Sequence, residues 1–495
     1  MVERVVVSLT VLVLYILLGM AVAFYSRRYL KPGEADFYIA AGRLGGIVAA
    51  LTYSATTYSA FMMVGLVGLA YATGVGALGF ELAYYVATLL LLVYFARRVW
   101  ERARERGWIS PAEMLSDHYG SRLLGALIAF IYLIALIPYA AIQIKGVGEL
   151  IAGLGGGSWG YYIAGVALAT VLIGAWSLIA GIWSVALTDA LQGLFMLLAG
   201  LLYTVWIALA VFSSAGFSGV TSVLGGKGLL GLGGFWSFQV FLAYTIPWVF
   251  FAAVHPQVVQ RIYMPRDERS LALMVRGFAI FGLLYTIIAV TVGLLARAGA
   301  DQGVLPFIDP ARRDAVTPTL LAVMNPLLAA IIFTSIVAAA VTTADSIILS
   351  LASSTSRDLA YKLSPERRLY TGYIAIIAFT LAAALVAYTR KGFIVDLAVL
   401  SSLMLLALAP ATLACWLNVK APSWSALSSI ALGFLATLLT LAYYERPAAA
   451  FLSTVRAPGG LEVPVSVIVL ALSTLPLVVG LGWRVSGRKG VELAA

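Results

Sequence analysis

The chain holds one cysteine, Cys415, and two histidines, His118 and His255, among 495 residues. A single thiol excludes an internal disulfide framework, and two histidines leave no cluster for a His-based metal site. Charge is equally scarce, with Asp, Glu, Lys and Arg together making up 11% of the sequence. There is no long linker and no low-complexity tract, and the stretches between apolar runs reach only about 20–25 residues, too short to fold as domains. What is present is apolar: 62% of residues are hydrophobic and the mean hydropathy is +0.99. Such a composition belongs to a polytopic membrane protein.

A span needs roughly 20 apolar residues to cross the hydrocarbon layer, and the sequence offers about thirteen such runs. They lie near 3–25, 44–72, 77–98, 123–152, 157–180, 183–213, 236–260, 273–296, 318–355, 370–388, 393–417, 424–444 and 462–483. The expected fold is all-α. The first run is not a signal peptide, because its apolar core is long and Arg27 and Arg28 follow it without a small-residue cleavage site. Basic residues set the orientation: with the N-terminus outside, about 22 of the 32 Lys and Arg fall in inner loops, about nine fall outside, and Lys145 is left within a span. The net charge of +10 therefore reflects topology and implies no nucleic-acid partner.

Polar residues inside spans carry the functional signal, because an ionisable group at membrane depth is costly. Asp189 and Asp345 fall at one level, roughly 10–17 Å from the cytoplasmic side by helical rise. Around Asp345, Ser335, Ala339, Thr342, Ser346, Ser350 and Ser353 recur at helical spacing, with Thr343 beside them. Such a stripe fits tight helix packing or a lined polar surface, and packing alone gives no reason for Asp345. A hard cation such as sodium needs several oxygens, and a helix supplies backbone carbonyls only where it is interrupted. The second span carries Thr52, Ser54, Thr56, Thr57 and Ser59 mid-helix, which marks an unwound turn. A second irregular span holds Pro247 and Pro256.

Seven segments resemble, in order, the landmarks of the sodium:solute symporter family: FYIAAGRLGG (37–46), ATTYSAF (55–61), GLAYATGVGALGF (68–80), PYAAIQIKGVG (138–148), WSVALTDALQG (183–193), HPQVVQRIY (255–263) and AAAVTTADS (338–346). The resemblance implies a LeuT-like core of two inverted five-helix repeats, 44–213 and 214–417, preceded by a helix and inner loop in 1–43 and followed by two helices and a short cytoplasmic tail in 418–495. It implies a sodium site at Ala55, Tyr58, Ala339, Thr342 and Thr343, and in some members a second ion site at Asp189, Thr342, Asp345 and Ser346. Two departures stand out. Some members have an acidic residue where this chain has Thr57, and others a serine where it has Asp345.

Lys145 admits two readings, a lysine snorkelling to the outer surface beside Glu149 or an ammonium facing the cavity to attract a carboxylate. ATTYSAF and HPQVVQRIY are closer to the family's monocarboxylate transporters than to its sugar branch. The expected solute site comprises Thr57, Ser59, Phe61, Gln143, Lys145 and Trp248, with Tyr58 beside them. The expectation is a sodium-coupled symporter of a small solute in the plasma membrane, a monocarboxylate first, with an amino acid or proton coupling as alternatives. A channel would need a continuous polar pore, a sensor would need a signalling domain, and no nucleophile–base pair suggests an enzyme. The expected partners are the solute, sodium and the lipid bilayer, with no obligate protein partner.

Overall fold

The computed structural model describes residues 2–492 apart from 233, 445–446 and 457–458, so the last three residues of the expected cytoplasmic tail lie outside the described chain. Eleven helices among the described residues are long and apolar enough to cross a membrane, or thirteen when two bent pairs each count as one span. The crossing helices are α1 (Val2–Ser26), α2 (Gly46–Thr57), α3 (Val67–Thr73, entered through a π-helical stretch Phe61–Leu66), α4 (Gly76–Arg106), α5 (Arg122–Leu154), α6 (Trp159–Ala180) and α7 (Ile182–Gly226). They continue with α8 (Phe238–Val249), α9 (Pro256–Tyr263), α10 (Glu268–Asp301), α11 (Pro326–Ser354), α12 (Pro365–Tyr388), α13 (Ile394–Leu406), α14 (Ala409–Trp416), α15 (Ser423–Tyr443) and α16 (Val465–Glu492).

Three spans are interrupted, two of them where the sequence predicts. The second bends by 46° between Thr57 and Phe61. The seventh is divided into Phe238–Val249, Phe251–Val254 and Pro256–Tyr263, the last opening on a proline whose missing N–H is no loss in a first turn. The third, between α13 and α14, bends by 59°. Pro410 in the first turn of α14 cannot donate back across that junction, a local cause the hydropathy pattern hides. α7 also runs well past its predicted end at 213, turning at Gly216 with φ of 65°. One short antiparallel pair, β1 (Thr454–Arg456) and β2 (Glu462–Pro464), departs from the all-helical expectation in a connecting segment.

The centre of the bundle is α11, whose apolar window is 83% buried, against 17% for α1. It packs on α5, α7 and α1, while the broken α2 is gripped by α7 and α10. Small residues permit that grip: an added Cβ on Gly277 of α10 would come within 2.5 Å of the Ala50 Cβ of α2, while Gly193 of α7 faces Leu51 and Ala55 at ordinary contact distance. α15 and α16 pair with each other at the periphery. A segment between α7 and α8 closes over the α3–α4 turn, where Val75 N–H donates to the Leu229 carbonyl (2.8 Å) and Trp236 Nε1 to the Thr73 carbonyl (3.1 Å).

Gly74 makes that turn, with φ of 81° and ψ of −156°, and a Cβ on it would be driven into the Leu229 backbone. A conformation reserved for glycine costs roughly 1–3 kcal/mol when another residue is forced into it. Gly74→Val is therefore expected to lower the apparent melting midpoint of the purified protein, read by thermal-shift fluorescence; an unchanged midpoint would show that the covering segment adds nothing to stability.

Candidate functional site

The break in the second span is built by its own hydroxyls. Thr57 Oγ1 donates back to the Tyr53 carbonyl (2.6 Å), Tyr58 takes up extended backbone (φ −105°, ψ 114°), and Ser59 Oγ accepts from Phe61 N–H (3.1 Å). Once the ladder stops, the carbonyls of Ala55 and Thr56 have no amide of their own to accept from. α11 supplies the partners. Thr342 Oγ1 donates to the Ala55 and Ala339 carbonyls, both at 3.0 Å, and Thr343 Oγ1 to the Thr56 carbonyl at 3.2 Å, with Ala55 O at 3.5 Å. Hydroxyls and carbonyls from two helices thus converge at a fully buried point, with the chemistry a hard monovalent cation requires. Of the sequence-predicted sodium ligands, Ala55, Ala339, Thr342 and Thr343 meet here, and Tyr58 is the residue at which the helix opens.

Beside it lies the second predicted group. Asp189 on α7 accepts from Thr52 Oγ1 (2.6 Å) and Thr56 Oγ1 (3.3 Å), so the hydroxyl face of α2 is turned toward it. Thr56 Oγ1 also lies 3.1 Å from Ser346 Oγ, which is 3.4 Å from Asp345 Oδ1. Asp189, Ser346 and Asp345 therefore form one buried cluster, while Thr342 belongs to the first set of oxygens. Thr56 joins the two, through its carbonyl to Thr343 and its hydroxyl to Asp189. One member was missed by sequence reading: Arg261, 1% exposed, places Nη2 at 3.3 Å from Asp189 Oδ2 and 2.5 Å from Ser346 Oγ. It stands just past the apolar run ending near 260, where hydropathy reads it as one of the inner-loop charges. The signal available was Pro256, which restarts a helix and carries Arg261 inside the bundle. Asp189 Oδ1 and Asp345 Oδ2 retain no hydrogen-bond partner.

The predicted solute residues separate into two places. Phe61 and Trp248 pack ring to ring at 5.2 Å next to the break, and Gln143 is buried with both amide atoms unpartnered. Thr57 and Ser59 spend their hydroxyls on the helix break itself. Lys145 is elsewhere, at the end of the bundle away from the basic loops. It donates to the Gly392 carbonyl and lies 3.7 Å from Asp314, which also accepts from Ile394 N–H (3.0 Å). It neither snorkels nor faces the aromatic group, and Glu149, offered as its neighbour, pairs with Arg390 at 2.6 Å. The same layer holds Arg313 and Asp396 at 2.5 Å, with Tyr244 donating to that carboxylate (3.0 Å). At the opposite end Glu34 binds Arg357 (3.2 Å) and Arg368 (2.9 Å), and Arg357 also binds Glu113.

Comparison with known proteins follows the same lines. The model of the sodium:solute symporter family matches residues 37–418. The chain is 28% identical to the sodium/pantothenate symporter of Escherichia coli over 207 residues, 41% of each chain, and 24% identical to the osmoregulated proline transporter OpuE of Bacillus subtilis over 400 residues, 78% of each. Its fold is similar to that of a sodium-coupled sialic acid symporter solved substrate-bound and outward-open, with a TM-score of 0.77, 18% identity, and 96% and 97% of the two chains covered.

Two outcomes are expected from the buried ions. Removing one partner of a buried pair costs about 3–5 kcal/mol because the other is left uncompensated. Arg261→Gln should therefore lower the melting midpoint markedly, and Asp189→Asn in the same chain should restore part of it; additive losses would dissolve the pair. Asp314 behaves differently. Burial pushes its carboxyl above the ordinary range, Lys145 and Ile394 N–H pulling it back only in part. A folded value above the unfolded one means the protonated form favours the fold: this contribution is full below the unfolded value of about 3.9 and is lost as pH rises through the raised one. Asp314→Asn, which still leaves the Lys145 ammonium its Gly392 carbonyl, should thus cost less of the midpoint at neutral pH than Lys145→Met, which strands the carboxylate; the reverse order would contradict this balance.

Proposed function

The chain belongs to the sodium:solute symporter family, and from that premise we propose that it imports a small organic solute into the cell together with sodium, by alternating access across the plasma membrane. Sodium is the co-transported ion of the family, and the fold is that of sodium-coupled symporters. The observation that carries the reading is the convergence of the Ala55 and Thr56 carbonyls with Thr342 and Thr343 across the helix break. An ion there ties α2 to α11, so its arrival and departure change how firmly the two repeats are held together. We take the repeats as 44–213 and 214–417, with the N-terminus outside as the basic residues favour.

Asp189, Asp345 and Ser346, beside Thr342, form the second ion site of this reading. Two carboxylates face one guanidinium there, which leaves one negative charge for a cation, either a second sodium or a proton. Phe61, Gln143 and Trp248 line the solute site. Lys145, already paired with Asp314, supports a gate at the outer end more than a hold on a solute carboxylate, and this moves the weight from a monocarboxylate toward an amino acid.

Uptake into proteoliposomes driven by an inward sodium gradient tests the reading. Thr342→Ala and Thr343→Ala should each raise the sodium concentration for half-maximal uptake at least tenfold, since a charge-assisted contact of this kind carries roughly that factor. Uptake with unaltered sodium dependence in the double variant would remove the assigned site. Asp345→Asn should change the number of sodium ions moved per solute or the pH dependence, read from reversal potentials; both unchanged would return Asp345 to a structural role.

A further inference from the structure

Most buried carboxylates at the two ends of the bundle have a cation: Glu34 has Arg357 and Arg368, Asp314 has Lys145, and Asp396 has Arg313, while Asp358 accepts from the Ser110 hydroxyl instead. Near the centre Asp189 has Arg261, and Asp345 beside it belongs with Ser346 to the second ion site proposed above. Glu81 has no cation among the described residues. It lies on α4 five residues beyond Gly76, is 1% exposed, and its Oε2 makes no hydrogen bond. The Trp248 indole stands beside the carboxyl without closing a hydrogen bond to it, and the phenols of Tyr58, Tyr84 and Tyr139 lie within electrostatic reach. These rings form a continuous wall, with Tyr84 at 5.7 Å from Trp248 and 6.3 Å from Tyr58. The Tyr58 and Tyr84 hydroxyls and both Gln143 amide atoms are also buried without partners.

A buried carboxylate without a counter-charge is expensive. Asp358 has the Ser110 hydroxyl and Asp345 its place in the ion cluster with Ser346, whereas Glu81 has no cation among the described residues and an unpartnered Oε2, which leaves it for something that is not part of the chain. Aromatic faces around a carboxylate are the surroundings in which an ammonium group is held, by charge on one side and by ring quadrupoles on the others. An anion in the same place would meet repulsion from Glu81, and a neutral solute would leave its charge unanswered. Tyr58 adds the link to coupling, because its ring belongs to this wall while its backbone opens the helix whose carbonyls meet Thr342 and Thr343.

We propose that Glu81, with Trp248, Tyr58 and Tyr84, binds the ammonium group of the transported solute, which makes that solute a compact amine-bearing zwitterion or quaternary ammonium compound rather than a simple carboxylate. The proposal rests on the sodium-coupled symport argued above and specifies the solute class. Lys145, closed against Asp314, takes no part in it.

The experiment uses the full-length chain in proteoliposomes and pairs of probes that differ in nitrogen: L-alanine against propionate, and glycine betaine against 3,3-dimethylbutyrate, with L-proline and lactate added. Sodium-driven uptake is expected for at least one of alanine, proline and betaine and for none of the nitrogen-free acids. Glu81→Gln should raise the half-saturating concentration of the accepted solute roughly 10- to 100-fold, the range of a lost charge-assisted hydrogen bond. Glu81→Asp should lose less. The change in intrinsic tryptophan fluorescence evoked by sodium without solute should persist in both variants, which also reports that they are folded. Uptake of a nitrogen-free acid, no uptake of any amine-bearing probe, or an unaltered affinity in a sodium-responsive Glu81→Gln chain overturns the ammonium site and leaves the sodium site standing. A wild-type chain with no sodium response overturns the symport reading instead. The isostere pairs decide the question on the wild-type chain even where Glu81→Gln fails to fold.

Discussion

The interaction on which the structure turns is the pairing of two orphaned carbonyls in α2 with two threonine hydroxyls on α11. A transmembrane helix that stops hydrogen bonding at mid-depth leaves polar backbone in a medium without water, and that backbone must find partners inside the protein. Thr342 and Thr343 are those partners. α11 is accordingly the most enclosed of the spans, and α7 and α10 press on α2, α10 through Gly277, where a Cβ would run into that of Ala50. The break persists because the rest of the bundle is arranged to satisfy it, and the same oxygens suit a sodium ion.

Charge is distributed around that point with little redundancy. Arg261 makes the carboxylate cluster of α7 and α11 affordable inside the bundle, and Thr56 connects the cluster to the carbonyl–hydroxyl set. At each end, ion pairs link segments from different parts of the sequence: Lys145 to Asp314 and Arg313 to Asp396 on one side, Arg357 to Glu34 and Glu113 on the other. Such pairs are well suited to closures that must open, because their desolvation cost nearly balances their attraction. Alternating access asks for two closures of this kind around one shared centre.

Much of this was legible in the sequence. Span positions follow from hydropathy, since every run of about 20 apolar residues had to become a helix. The hydroxyl cluster from Thr52 to Ser59 announced the break, and the stripe around Asp345 announced its partner. Three features were not legible. Arg261 looked like a loop charge, because distance along the chain from Arg266 says nothing about a helix that restarts at Pro256. Lys145 found Asp314, 169 positions away in a segment that reads as an ordinary loop, and pairing at that separation has no local signature. Glu81 stands near the start of the apolar run at 77–98, where a carboxylate ordinarily reaches water; the segment folding over Gly74 and Gly76 removes that water.

The central claim, that the broken helix and α11 together hold sodium, is tested most directly by equilibrium binding of radiolabelled sodium to the purified chain with no solute present. Saturable binding, displaced by unlabelled sodium and not by potassium at the same concentration, is the result this account predicts. Binding that never saturates, or that potassium displaces equally well, would contradict it.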